Sequence, residues 1–340
     1  MSQAERHIGT SYRLSLGKLN FIIVRRIQQQ KRHLEAVVRG VFWHANTIWL
    51  FTFSDLKTIV GPQTMFGILS MLSGQVLTTK SSPGFYETIG LIPRTAFWTW
   101  INLLPSIIDN QRSPDAIKED SMNKSWRPMP SNRLSQEAAL VLVLALYPIA
   151  IVSSLMLGGL RQCLALIVLA HWYNNRGGAD RNFIVKNFIN ACGYLCFTSG
   201  AAEVASASGT STSSLRPVAI QWLLLIGAVV LTSVHTQDMQ DQAGDKARGR
   251  LTLPLVVGDR PARWTIATSM ILWSVLCPTF WELGIVSYAA SMSLGTFIAF
   301  RTLFKTSVED DKRTFRFWNL WMVLLYAMPL AKNYQESLKI

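Results

Sequence analysis

Charge is scarce in this chain, and acid is scarcer than base. Only 16% of the 340 residues are charged, with 20 Asp and Glu set against 33 Lys and Arg. Soluble domains carry about a quarter of charged residues. With 49% hydrophobic residues, this scarcity argues against an ordinary soluble protein and for a membrane-embedded one with basic loops. The formal charge of +13 raises nucleic acid as a partner. That reading needs a basic soluble face, whereas here the basic residues fall between apolar runs, so no nucleic acid is expected. Cysteine is sparse as well. Cys163, Cys192, Cys196 and Cys277 all sit in apolar segments, and none has the neighbours that complete a zinc site, so they read as free core thiols. No cleavable signal peptide is expected either, since none is visible in the first residues. Residues 1–40 are basic and weakly apolar, and are expected to form a cytosolic arm lying on anionic lipid. Residues 41–340 read as a single transmembrane domain.

What the chain has in quantity is apolar runs of membrane-crossing length. They fall near 42–53 with 57–77, 91–109, 137–157, 160–175, 182–203, 216–237, 261–281, 283–304 and 314–331. The expected fold is therefore all-α, an integral membrane bundle of about nine transmembrane helices around a central cavity, the first span broken around Ser54 and Asp55. Basic residues cluster in the loops near 110–135, 175–186, 238–263 and 301–313, while "LGGLR", "SASGTSTSSLR" and "FWELG" are poor in charge. This alternation satisfies the positive-inside rule if the N-terminus and the basic loops are cytosolic. Two cytosolic cap loops, near 110–135 and 238–263, then lie over one opening. The endoplasmic reticulum is the expected membrane. No obligate protein partner is expected.

Both cap loops carry the chain's concentrated polarity. In "HTQDMQDQAGDKARGRLTLPL", Asp238, Asp241 and Asp245 stand three and four residues apart, a spacing that places three carboxylates on one helix face. Such a face needs a cation, and oxygen-only ligands suit Mg²⁺. Lys246, Arg248 and Arg250 come next in the chain. The earlier segment, "DNQRSPDAIKEDSMNKSWRPMPSNRLS", offers Asn110, Asp115, Glu119 and Asp120 as oxygen donors, then Asn123, Lys124 and Arg127. Carboxylates beside lysine and arginine suit a diphosphate clamped through metal, with Asp115, Glu119, Asp120, Asp238, Asp241 and Asp245 as the candidate metal ligands. Solvated loops of mixed charge are the plain alternative for either segment alone. An anion transporter is the alternative for the whole chain, but no inverted repeat is visible.

The two segments together resemble the signature regions of the UbiA superfamily of intramembrane prenyltransferases. Asp238, Asp241, Gly244 and Asp245 fall on that family's D-x-x-D-x-x-G-D, followed by Gly249 and "TLPL". The first match is looser. Anchored on Arg127 and Pro128, Asp120 takes the last acidic position of N-D-x-x-D-x-x-x-D, while Ala116 and Ser113 stand at the other two aspartates. The resemblance implies a UbiA-like bundle with two Mg²⁺ ions holding a prenyl diphosphate and with the prenyl tail among apolar helices. "SDLKTIVGPQTMFGILS" and "YNNRGGADRNFIVKNFINACGY" are similar to the fungal branch that includes terpene cyclases. The resemblance to that branch implies a membrane-bound class I terpene cyclase that converts a prenyl diphosphate, farnesyl diphosphate by expectation, into a sesquiterpene. A prenyltransferase with an aromatic or other small acceptor is the alternative.

Other polar residues add candidates. Lys186 is placed to reach a diphosphate and Asn187 or Asn190 to line the cavity; snorkelling and helix–helix hydrogen bonds are the competing readings. Tyr173 is a candidate to steer a carbocation or take its last proton. Asp55 and Lys57 read as a local ion pair or helix cap. Of the aromatics, Phe97, Trp98, Trp100, Trp172 and Trp222 read mainly as packing or interfacial residues.

Overall fold

The computed structural model describes residues 3–79, 81–206 and 216–338, with side chains described at residue 26 and from residue 28 onward. The chain divides into two compact units, Met1–Leu50 and Phe51–Ile340. The first is a continuous stretch of α1 (Gln3–Asp55). In the second, a π-helical turn (Leu56–Val60) joins α1 to α2 (Gly61–Leu72). The expected break at Ser54 and Asp55 is thus a widened helical turn. Pro62 stands inside the first turn of α2, where a missing N–H costs least.

The chain continues as α3 (Phe85–Arg112), α4 (Pro114–Asn123), α5 (Gln136–Leu157), α6 (Leu160–Asn175) and α7 (Phe183–Ser206). Next come α8 (Pro217–Ser233), α9 (Gln242–Arg248), α10 (Leu253–Val257), α11 (Asp259–Phe280), α12 (Ile285–Phe304), α13 (Val308–Tyr326) and α14 (Met328–Ser337). Among the described residues no β-strand occurs, and nine helices reach sixteen residues or more: α1, α3, α5, α6, α7, α8, α11, α12 and α13. Helix starts obey local chemistry. Ser113, Ser135 and Ser307 each accept a backbone N–H at the head of α4, α5 and α13, and Pro114 and Pro217 open α4 and α8.

Neighbouring helices close a ring. α2 packs on α3 and α7, α7 on α6 and α8, α8 on α11, α11 on α12, α12 on α13, and α13 returns to α2. Small residues set the close approaches. A Cβ on Gly200 of α7 would lie 2.0 Å from the ring of Trp98 in α3. That indole is fully buried and donates its N–H to Ser154 at 2.9 Å. Apolar surface also points outward: Val141, Leu144, Val152, Leu155 and Met156 of α5 are exposed. Such an arrangement fits a hydrocarbon solvent rather than water. By length and composition alone, α5 and the segment Pro217–Gln237 are apolar enough to cross a membrane.

Two short helices belong to the polar segments rather than to the apolar spans. α4 and α9, one from each polar segment, pack against each other. Gly244 makes this contact possible, because any Cβ there would lie 2.1 Å from the Asn123 amide.

Candidate active site

The two polar segments roof a cavity of about 470 Å³ within the Phe51–Ile340 unit. Its mouth is lined by Glu119, Asn123, Lys124 and Arg127 from the first segment and by Asp238, Asp241, Asp245 and Arg250 from the second. Its lower part is apolar and aromatic, with Leu103, Leu166, Tyr194, Phe197 and Phe315. One cavity therefore joins a charged head to a greasy body.

The second segment is not one regular helix. A 3₁₀ turn (Val234–Gln237) ends the helix before it, Asp238 comes directly after that turn, Asp241 stands at the N-cap of α9, and Asp245 lies within α9. The carboxylates consequently do not stack along one helical face, as the spacing suggested, yet all three line the cavity. Gly249, at φ +82, ends α9 in a left-handed turn that a larger residue adopts only with strain. The turn brings Arg250 back, and its backbone N–H donates to the Asp245 carbonyl at 2.9 Å.

Every one of these acids at the mouth meets a base. Lys186 of α7 donates to Asp238, with both side chains buried. Lys124 donates to Asp241 at 3.1 Å. Arg250 donates to Asp245 at 3.4 Å. Glu119 accepts from Arg248 at 3.1 Å and from Arg250 at 3.0 Å, so the two segments are tied together by charge. Asp180, from the loop between α6 and α7, accepts from the same Arg250 at 3.0 Å and pairs with Arg248 at 3.1 Å. The Asn123 amide donates to the Asp241 carbonyl at 3.2 Å.

Several candidates occupy places other than those expected. Asp120 is buried but does not line the cavity; its two oxygens hold Arg127 at 2.8 and 3.1 Å and so aim that guanidinium. Asp115 is exposed in the first turn of α4, and Lys246 is exposed on α9; neither reaches the cavity. Asn187 is buried away from the lining, where Asn190 stands instead. Asn110 and Tyr173 do line it, Asn110 donating to Asn174 at 2.8 Å. Asp55 and Lys57 form neither a salt bridge nor a side-chain cap: among the described residues both instead line the cavity beside the π-helical turn. Trp98 and Trp222 are fully buried packing residues. The aromatic lining comes from Phe53, Trp126, Tyr173, Tyr194, Phe197 and Phe315. Asp180 carried no local signal, because its partners lie some seventy residues away in sequence.

Among the described residues no three acidic, histidine or cysteine side chains converge on one metal position. Two features nevertheless fit a divalent cation. Asp238 Oδ2 and Asp245 Oδ2 are buried with no hydrogen-bond partner, and an orphaned buried carboxylate oxygen is costly unless a cation meets it. Burial pushes Asp245 up to about 7, against the opposing pull of Lys186. Burial also raises Asp238 and Asp120, against the pull of Lys186 and Arg127 respectively. Desolvation thus disfavours the charged form of these carboxylates, and a cation at the unpartnered oxygens of Asp238 and Asp245 would offset it.

The UbiA prenyltransferase family matches residues 68–321. This chain belongs to that family. It is 27% identical to the fumagillin β-trans-bergamotene synthase of Aspergillus fumigatus, over 86% of this chain and 94% of that one. It is 26% identical to the somaliensene A/B synthase of Streptomyces somaliensis, over 86% of this chain and 95% of that one. A polyprenyl transferase of Hericium erinaceus is 26% identical over 79% and 88%. Among solved structures, a digeranylgeranylglyceryl phosphate synthase superposes with TM-score 0.55 at 17% identity, covering 85% of this chain and 99% of that one. A UbiA homolog from Archaeoglobus fulgidus, bound to GPP and Mg²⁺, gives 0.52 at 12% identity, covering 80% and 98%. The chain is thus an all-α UbiA-type membrane enzyme.

Proposed function

We propose that this UbiA-type enzyme is a class I terpene cyclase acting on a prenyl diphosphate, with farnesyl diphosphate as substrate and a sesquiterpene hydrocarbon as product. The observation that carries the reading is the continuity of one roofed cavity from a charged mouth to an aromatic floor, in a chain similar over most of its length to two terpene synthases. The volume, about 470 Å³, lies within the usual range for small-molecule sites.

Mg²⁺ would be held by Asp238 and Asp245 through their unpartnered oxygens, joined by Asp241 and Glu119, which now accept from bases. When bound, the metal supplies positive charge to the leaving diphosphate. Lys124, Arg127, Lys186 and Arg250 neutralise the phosphate oxygens as the bond from C1 to oxygen breaks and its electron pair leaves with diphosphate. The prenyl chain's own double bond then attacks C1. Tyr173, Tyr194, Phe197 and Phe315 stand along the lining, where aromatic faces stabilise a moving cation. The packed caps keep water from quenching it. Loss of a proton from carbon completes the hydrocarbon, with the Tyr173 hydroxyl at the polar–apolar border as acceptor. Asp120 acts through Arg127, and Asp115, Lys246 and Asn187 stand outside the lining.

A membrane of the endoplasmic reticulum, with the caps and the N-terminus cytosolic, fits the alternation of loop charge. Attachment of the prenyl group to an acceptor is the second reading, favoured by the similarity to a polyprenyl transferase. The purified enzyme in detergent with Mg²⁺ and one prenyl diphosphate at a time separates them. A cyclic hydrocarbon formed without acceptor supports the cyclase. Product formed only after an aromatic acceptor is added supports the transferase.

A further inference from the structure

Glycine inside a helix is less stable than alanine unless a close neighbour or a left-handed backbone demands it. Within the Phe51–Ile340 unit, Gly67, Gly200, Gly227 and Gly295 meet the first demand: a Cβ on any of them would stand 2.0–2.9 Å from an atom of a neighbouring helix. Gly193, in the middle of α7, meets neither. Its φ is not positive, and α7 runs unbroken from Phe183 to Ser206. A Cβ there would find nothing within 4 Å beyond its own stretch of helix. The open space that it faces is the cavity, whose lining includes it. Gly90 of α3 also faces open space, but it is exposed and off the lining.

Its place along α7 gives that space a meaning. Lys186, Ile189, Asn190, Gly193, Tyr194 and Phe197 all line the cavity, at the three- and four-residue steps of one helical face. Lys186 holds Asp238 at the charged mouth, and Phe197 lies in the apolar lower part. At 1.5 Å per residue, Gly193 stands about 10 Å along the helix from Lys186, and Phe197 about 6 Å further. A prenyl chain anchored by its diphosphate at the mouth thus runs past the one step of this face that carries no side chain. Asn190 and Tyr194 flank it, so backbone alone bounds the cavity between two full side chains, and the result is a local recess.

Resting on the prenyl diphosphate reading, we infer that Gly193 is a specificity-determining residue: the recess that it leaves admits the far part of the prenyl chain and sets the chain length that the cavity accepts. Neither packing nor backbone conformation requires glycine there, so its helix penalty is kept for the room it gives the substrate. Side-chain volume at this position then trades directly against isoprene units. The effect falls on hydrocarbon alone. A side chain at 193 starts out of reach of the carboxylates and bases of the mouth, so the hold on the diphosphate stays as it is.

The test is calorimetric binding to the full-length enzyme in detergent with Mg²⁺. The probes are geranyl, farnesyl and geranylgeranyl thiolodiphosphate, in which sulfur at C1 prevents ionisation, and inorganic diphosphate. Gly193→Leu is expected to weaken the farnesyl probe at least about ten-fold relative to the geranyl probe, the usual discrimination of an apolar pocket that is too small. Gly193→Ala should do the same to a lesser degree, and inorganic diphosphate should bind both variants as it binds the wild type. Gly193→Ala should also melt about 1–2 °C above the wild type, because alanine removes the helix penalty and meets no neighbour. Gly90→Leu, off the lining, should leave the ranking of chain lengths unchanged. An unchanged ranking in Gly193→Leu overturns the inference, as does a Gly193→Ala variant that melts several degrees low, which would make the glycine a packing residue. An equal loss for all probes, inorganic diphosphate included, overturns it too, by placing the effect at the mouth. A wild-type enzyme that binds none of the prenyl probes overturns the prenyl diphosphate reading itself, which is a distinct result. The expected shift in ranking, found in an enzyme that turns over only with an acceptor, upholds the role of Gly193 while the cyclase reading falls.

Discussion

Lys186→Met separates what the buried bases do for the fold from what the carboxylates do for metal. In the wild-type enzyme Lys186 donates to Asp238, and both side chains are almost wholly buried. Methionine fills a similar volume but leaves Asp238 with neither oxygen paired, since Oδ2 has no partner to begin with. Removing one partner of a buried ion pair costs about 3–5 kcal/mol. At about 1–2 °C per kcal/mol for a chain of this size, the metal-free variant should melt about 3–10 °C lower. Mg²⁺ should restore much of that loss. A ligand at a hundred times its dissociation constant adds about 2.7 kcal/mol, and in this variant no ammonium competes for Asp238. The rise in melting temperature on adding Mg²⁺ should therefore exceed that of the wild type, whereas in Asp238→Ala it should shrink. Thermal melts in detergent with metal and with chelator provide the comparison. An identical Mg²⁺ response in wild type, Lys186→Met and Asp238→Ala would refute Asp238 as a metal ligand.

Further expectations concern the caps. Asp115→Ala should keep full turnover and stability within about 0.5 kcal/mol, being exposed and off the lining, whereas Glu119→Ala should lower kcat at least a hundred-fold by freeing Arg248 and Arg250; steady-state kinetics ranks the two. Because burial places Asp245 at about 7 without metal, it is protonated below that pH and must lose its proton to accept a cation. Mg²⁺ affinity should accordingly fall up to about ten-fold per unit below pH 7 and level off above it, as read by metal titration. Gly244→Ala should displace the Asn123 amide, only 2.1 Å from the new methyl, and break its bond to the Asp241 carbonyl; turnover should drop while the melting temperature moves little.

The bundle was legible in the sequence because its apolar runs are long and its loops alternate in charge. The spans expected at 137–157 and 160–175 fall on α5 and α6, and those at 91–109, 182–203, 216–237, 261–281 and 283–304 differ from their helices by up to six residues at the ends. The span at 42–53 is only the end of the much longer α1, that at 57–77 divides into the π-helical turn and α2, and that at 314–331 runs from α13 into α14. Both caps were legible too, since concentrated polarity in so apolar a chain has few structural uses. Geometry within the caps was less so. Asp238, Asp241 and Asp245 looked like one helical face, but a 3₁₀ turn and an N-cap intervene, and hydrogen-bond register leaves no mark in composition. The π-helical turn hid for the same reason: Asp55 and Lys57 read as a local ion pair or helix cap at a broken span, whereas the turn carries both on the cavity lining. Asp180 and the Asp120–Arg127 pair depend on where loops meet, which only tertiary packing decides. Trp222, read as packing from its place in an apolar run, does stack on Phe280 at 5.7 Å in the core.

The central claim, that one roofed chamber both ionises a prenyl diphosphate and closes its carbon chain, is tested most directly by stoichiometry. Purified enzyme with Mg²⁺ and farnesyl diphosphate alone should release one inorganic diphosphate for each cyclic hydrocarbon seen by gas chromatography–mass spectrometry. Diphosphate released with only farnesol as the organic product, or no release at all with any prenyl diphosphate, would contradict it.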